Sequence, residues 1–180
     1  MHILIKTKIM RKILIIFFII PFLFLSCNKE NHKEYNKNME IYKKVVEEIN
    51  AYFDNSEEIN ISEYLTDDFV FYSYAAGNRN GQESPKSDYI SNIESMKKMG
   101  MSINIGHSIY LPGVDKETYE FDGSVRVYYG ATIKVDSNSV DFSGYQTIEF
   151  NNGKILSIEE WADYGGVQNL LKEIQETKDK

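Results

Sequence analysis

The chain has 180 residues, 42% of them hydrophobic and 26% charged, with a single cysteine and a formal net charge of −7. That is room for one ordinary globular domain, and it excludes a disulfide-stapled scaffold or a wholly disordered chain. Phosphate recognition needs clustered cations, and the acidic balance argues against a nucleic-acid partner.

The charges are unevenly spread. Lys6, Lys8, Arg11 and Lys12 precede thirteen uncharged residues, Ile13 to Leu25, and no acid occurs before Glu30. A basic start, a short apolar run and a small residue at its end have the anatomy of a signal peptide. Thirteen helical residues reach only about 20 Å, short of the ~30 Å hydrocarbon core, so a permanent span is disfavoured. Removing residues 1–26 takes away four cations and no acid, which moves the net charge from −7 by four, to −11. The only cysteine, Cys27, stands where the apolar run stops, and Phe24-Leu25-Ser26-Cys27 resembles the lipobox of bacterial lipoproteins. The resemblance implies acylation of Cys27 with palmitate-type chains. It places the mature protein on a membrane of the bacterial cell envelope, outside the cytoplasm. Asn28 in place of an aspartate favours the outer membrane. Two or more acyl chains anchor stably where one does not. Residues 28–35 are polar and are expected to form a flexible tether, with His32 solvated in it. The domain division is therefore 1–26 signal peptide, 27–37 lipidated tether and 38–180 folded domain.

From Asn38 the spacing of Tyr42, Val45, Val46, Ile49, Tyr52 and Phe53 predicts an amphipathic helix, ended by Asp54-Asn55-Ser56. A helical turn follows at Ser62 to Leu65, then an aromatic, alternating strand from Phe69 to Ala76. After a turn-rich Gly77 to Gly81, Ser84-Pro85 opens a second helix, serine as cap and proline in the first turn, running to Gly100. Three long period-two runs come next. Met101, Ile103, Ile105, His107, Ile109 and Leu111 are expected on one face of the first, Val125 to Val135 form the second, and Val140 to Phe150 the third. Asn151-Asn152-Gly153 is a hairpin turn leading into a last strand, Lys154 to Ala162. Asp163 can cap a closing helix with Val167, Leu170, Leu171 and Ile174 on its apolar stripe. Helices followed by consecutive strands predict an α+β domain, helices packed on one face of a sheet.

This order, with Leu65-Thr66-Asp67-Asp68-Phe69 entering the first strand, Gly81 before the second helix and Gly153-Lys154-Ile155 through Glu160-Trp161-Ala162-Asp163 at the end, resembles the SnoaL-like branch of the nuclear transport factor 2-like superfamily. The resemblance spans about residues 38–176. It implies a cone-shaped half-barrel, a bent antiparallel sheet wrapped around the N-terminal helices with a C-terminal helix, and an apolar pocket at the wide end. Its members include isomerases, cyclases, dehydratases, epoxide hydrolases, ligand binders and dimerising modules, so the fold alone does not decide function.

Chemistry rests on the polar residues that face the cone. A proton-moving site of the ketosteroid-isomerase kind needs a carboxylate on the first strand, and that position falls on Ser73, flanked by Tyr72 and Tyr74. Serine is no base near neutral pH. Arg126, the one arginine on a predicted strand, alternates away from Val125 and Val127. His107 and Glu160 are the remaining candidate proton-transfer pair, each interrupting an otherwise apolar strand face. The competing reading makes His107 a satisfied core or rim histidine and Glu160 an inward acid bonded to a tyrosine. Phe71, Ser73, Tyr129, Phe142, Ile158 and Asp163 are expected to line a ligand site. Trp161 is expected on the face opposite Glu160. The histidines are only His2, His32 and His107, without metal-ligand spacing, so no metal site and no cofactor are expected. The first expectation is a lipid-anchored, non-catalytic domain that binds a small apolar ligand or a partner. The alternatives are an isomerase, cyclase or hydratase using His107 and Glu160, and a homodimeric interaction module.

Overall fold

The computed structural model describes residues 27–75 and 77–178. The signal-peptide reading of residues 1–26 lies outside the described residues. In chain order the elements are helix α1 (Cys27–Asp54), a 3-10 turn (Ser62–Tyr64), strands β1 (Leu65–Ser73) and β2 (Gln82–Pro85), helix α2 (Lys86–Lys98), strands β3 (Met101–Val114), β4 (Phe121–Val135), β5 (Asn138–Asn151) and β6 (Lys154–Ala162), and helix α3 (Tyr164–Lys178). The six strands form one open sheet in the order β2-β1-β6-β5-β4-β3. The expected α+β class is observed.

The sheet departs from expectation in two respects. It is mixed rather than antiparallel, because β1 runs parallel to β6, with Phe71 opposite Ile158 and Ser73 opposite Glu160. It also carries the short edge strand β2, whose Ser84 and Pro85 pair with Phe71 and Val70. Pro85 is the N-cap of α2, and no side chain caps that end, so Ser84 is a strand residue rather than the cap. An edge strand tolerates proline because it needs no donor on its outer side.

Helix α1 begins well before Asn38. Tyr35 and Asn38 are both buried, and they continue the three-and-four spacing of Tyr42, Val45, Val46 and Ile49 one turn upstream. The Asn38 side chain donates to the Gly123 carbonyl at 3.0 Å. The segment expected to be a flexible tether is therefore helical from Cys27, and it is packed from Tyr35 onward. His32 is exposed, and its ring meets Phe121 edge-on at 4.8 Å. Among the described residues, no helix is long and apolar enough to cross a membrane.

The core lies between α1 and the concave side of the sheet. Phe69, Ile61, Leu65, Ile148, Ile155, Ile158, Val45, Val125 and Val127 are all but inaccessible. The 3-10 turn and α2 close the β1 side, with Phe69 and Phe71 against Tyr89. The β3 edge folds onto α1, where Asn50 exchanges two 2.8 Å hydrogen bonds with the backbone N–H and carbonyl of Ile105. Lys97 of α2 donates to the carbonyls of Tyr52 and Ser56 at the end of α1. The hairpin between β5 and β6 has Asn152 and Gly153 both at positive φ, 51° and 75°, as a two-residue turn with these residue types demands.

The alternation of β3 does not hold along its length. Its register to β4 slips between Ile105 and Ser108, an extra residue at Gly106-His107 that makes a bulge. Beyond it the faces exchange. Ser108 and Tyr110 turn toward the core side, while Ile109 and Leu111, expected inward, are 51% and 45% exposed. A glycine inside a strand is the sequence signal for such a bulge, and Gly106 is that glycine.

Candidate functional site

Glu160 on β6 shares its strand face with Ile158 and is half-buried, opposite Gln146 of β5. Its Oε2 accepts from the Tyr129 hydroxyl at 2.7 Å and from Gln146 Nε2, and its Oε1 accepts from the Tyr164 hydroxyl. Tyr42 of α1 in turn donates to Gln146 Oε1. One carboxylate thus gathers side chains from α1, β4, β5 and α3. A carboxylate offers about four lone-pair sites, and three are taken here, all by neutral donors.

Each donor is positioned by a local feature of the sequence. Tyr129 lies two strands away from Glu160, and the strand between them would block it at any residue with a side chain. The residue opposite Tyr129 is Gly144, where an added Cβ would stand 2.4 Å from the Tyr129 ring. Gln146 is almost fully buried, and its amide is used on both sides, donating to Glu160 and accepting from Tyr42. Tyr164 is the first residue of α3. Asp163 fixes that helix start by accepting from the Gly166 N–H at 2.8 Å. Phe142 meets the Tyr129 ring edge-on at 6.2 Å.

The electrostatics follow from burial around one negative charge. Burial first, then the charge of Glu160 and the hydrogen bond to it, push the Tyr129 phenol far above its ordinary value of 10.0. Tyr164 is raised by the same causes in the same order. Tyr89 is raised by burial and then by Glu160, and Tyr42 by burial, then Tyr89, then Glu160. The phenols are therefore hydrogen-bond donors that do not ionise near neutral pH. Among the described residues, no Lys, Arg or His forms an ion pair with Glu160.

The structure does not join His107 to Glu160. His107 sits in the β3 bulge and is exposed; with Asn104, Gly106, Gly130, Thr132, Asp141 and Ser143 it borders an open depression of about 410 Å³. The bulge, which breaks the alternation, is the reason that the expected proton-transfer pair is not formed. Glu160 takes the competing arrangement, an inward acid bonded to tyrosine. Of the expected ligand residues, Tyr129 bonds to Glu160, Phe142 meets the far side of the Tyr129 ring and lines the depression beside His107, Ser73 is paired with Glu160 across β1 and β6, and Phe71 stacks on Tyr89 at 4.9 Å. Ile158 is 1% exposed and belongs to the packed core, and Asp163 is an exposed helix cap. Gln146, Tyr42 and Tyr164 complete the cluster and were not among the expected site residues. A second depression, about 520 Å³, lies between β1 and α2 near Asp67, Asp68 and Lys86. Among the described residues, no group of three or more His, Cys, Asp or Glu is placed to hold a metal ion.

On the outer face, Ile109, Tyr128, Tyr145 and Trp161 are successive cross-strand partners on β3, β4, β5 and β6, and Tyr74 stacks on Trp161 at 4.5 Å. Arg126 shares this face and pairs with Glu149 at 3.1 Å, away from the interior as expected.

No protein-family profile matches the chain, and no curated protein matches it in sequence. Solved structures do match it. PrhC from Penicillium brasilianum superposes with a TM-score of 0.58 at 11% identity, covering 81% of this chain and 92% of its own. A putative polyketide cyclase from Xanthomonas campestris gives 0.53 at 11% identity, over 71% and 90%. A nuclear transport factor 2-like protein from Burkholderia xenovorans gives 0.51 at 13%, over 71% and 90%. The six-stranded mixed sheet wrapped on its helices is thus the nuclear transport factor 2-like cone, and likeness at this identity extends to the fold.

The raised phenols tie stability to alkaline pH. A group whose folded pKa lies above its unfolded value contributes stability that is complete below the unfolded value and is lost as pH rises beyond it. Stability to urea is therefore expected to fall as pH climbs above about 10, the unfolded tyrosine value. The double variant Tyr129→Phe/Tyr164→Phe should start less stable near neutral pH and show a shallower alkaline decline, read from urea midpoints between pH 8 and pH 11.

Proposed function

We propose that the protein is a lipid-anchored, non-catalytic domain that takes a small apolar molecule into its cone and orients it at Glu160. The observation that carries this reading is the company Glu160 keeps: two phenols and an amide, with no second acid, base or cation bonded to it among the described residues. Proton transfer needs a partner whose affinity for the proton is close to that of the carboxylate, and phenols raised above 10.0 are poor partners. Hydrogen-bond donors on an apolar wall of Phe71, Tyr89, Tyr129 and Phe142 suit orientation of a ligand instead. A small molecule should copurify with the full chain and be identifiable by mass spectrometry. A screen of hydrophobic acids, sterol-like and isoprenoid compounds should give thermal shifts that Phe142→Ala reduces by half or more with folding retained. Shifts unchanged by that substitution count against the cone.

The anchor is Cys27, on the lipobox resemblance, and the domain is held at the bacterial cell envelope with the outer membrane favoured. Cells given labelled palmitate should incorporate it into the wild-type chain and not into Cys27→Ser. Equal labelling of both removes the anchor.

A second reading, a homodimer joined through the outer sheet face, is favoured by the aromatic row from Ile109 to Trp161, whose Tyr128 is 52% exposed. Sedimentation of the full chain in detergent should show a dimer that Tyr128→Lys converts to monomer. A wild-type monomer at high micromolar concentration rules it out.

A further inference from the structure

The charge of Glu160 is held without a countercharge. Among the described residues, the ion pairs of Lys43, Lys86, Lys98, Arg126 and Lys172 all go to other acids. A carboxylate taken partly out of water favours a cationic partner strongly, since neutral donors supply hydrogen bonds but no net charge. Its surroundings point the same way. Tyr129, Tyr164 and Tyr42 reach it directly or through Gln146, Tyr89 lies within its field, and Phe142 and Phe71 pack against Tyr129 and Tyr89. Tyr129 and Tyr164 present hydroxyls rather than ring faces to the carboxylate, so the charge itself is what recognises an ammonium group, with the rings as its apolar surroundings.

The three donors are not equivalent. Tyr129 and Gln146 are fixed in the ladder of β4, β5 and β6, and both bond to Oε2. Tyr164 alone bonds to Oε1, and it comes from α3, which packs chiefly on β5 at the end of the chain. Its hydroxyl can leave by a movement of one helix end, with the sheet intact.

We propose that Glu160 is the recognition carboxylate for a protonated primary amine on a small apolar body, and that the amine takes over from the Tyr164 hydroxyl on Oε1. This rests on the cone-binding reading above and names its ligand class. A neutral alcohol has the same body and lacks the charge; a carboxylic acid is repelled.

The test is calorimetry on the full chain in non-ionic detergent near neutral pH, with 2-phenylethylamine, its N-acetyl derivative, 2-phenylethanol and 3-phenylpropanoate. The amine is expected to bind about tenfold or more tighter than the alcohol and the acetylated amine, with the acid weakest. Glu160→Gln should bring the amine down to the level of the alcohol. Tyr164→Phe, which removes the competing hydroxyl, should tighten the amine several-fold and leave the alcohol unchanged. The comparison of amine with acetylated amine uses only the wild-type chain, so it decides the matter even if Glu160→Gln fails to fold. Equal binding of amine, amide and alcohol overturns amine recognition and leaves the cone reading standing. No binding by any of the four, together with no shift in the apolar screen, overturns both.

Discussion

The sheet bends because α1 lies in its concavity. One stripe of that helix, Tyr35 through Phe53, is buried, and β3, β4 and β6 all pack on it. Burial of large side chains is worth roughly 1.5–3 kcal/mol each, and a flat sheet would cover only part of so wide a stripe. Two polar contacts set how far the sheet curls: Asn50 holds the backbone of β3 at its outer edge, and Asn38 holds Gly123 near the start of β4. The inner end of the Glu160 cluster depends on the same helix, since Tyr42 sits on the buried stripe and bonds to Gln146. Moving α1 would therefore loosen the cone wall and the carboxylate's shell together.

That shell is a compromise between two costs. A buried carboxylate without hydrogen bonds is strongly disfavoured, and one paired with a fixed cation would be electrostatically complete. Phenols and an amide meet the first cost and leave the charge in place. They are also rigid, because Gly144 lets Tyr129 lie flat across β5 and Gln146 is gripped at both ends. The result is a negative point among phenols, an amide and apolar side chains.

Much of this was legible in the residues. Period-two runs locate β3 to β6, with β6 matching at both ends and β3 and β4 extending three and four residues further, and the helical spacing locates α1 from Asn38 onward, because both patterns are direct projections of burial. Glu160 could be read as inward from its neighbours Ile158 and Ala162 on the same strand face. What failed did so for identifiable reasons. His107 was expected inward because alternation was extended through Gly106, and a single extra residue reverses every side chain beyond it. Helix α1 starts earlier than its spacing indicates because Tyr35 and Asn38 stand among charged residues that dilute the stripe. Strand β2 is short and polar, and only its neighbour β1 defines it. Gln146, Tyr42 and Tyr164 are far apart in sequence, and no local pattern joins them to Glu160.

The parallel contact between β1 and β6 also fixes an order of assembly. Strands β3, β4, β5 and β6 are successive antiparallel neighbours joined by short connections, so each can pair with the one before it through local contacts. Strand β1 cannot, because on one side its partner is β6, about eighty residues further along the chain, and on the other it has only the short edge β2. Non-local pairings of this kind close late and slowly, since the loop entropy must be met before the contact forms. The β6 side of β1 is therefore completed only when Ile155 and Ile158 arrive, whereas the apolar stripe of α1 can already be covered by β3 and β4. The seam between β1 and β6, and not the β3 edge, is thus the place where the sheet is completed last.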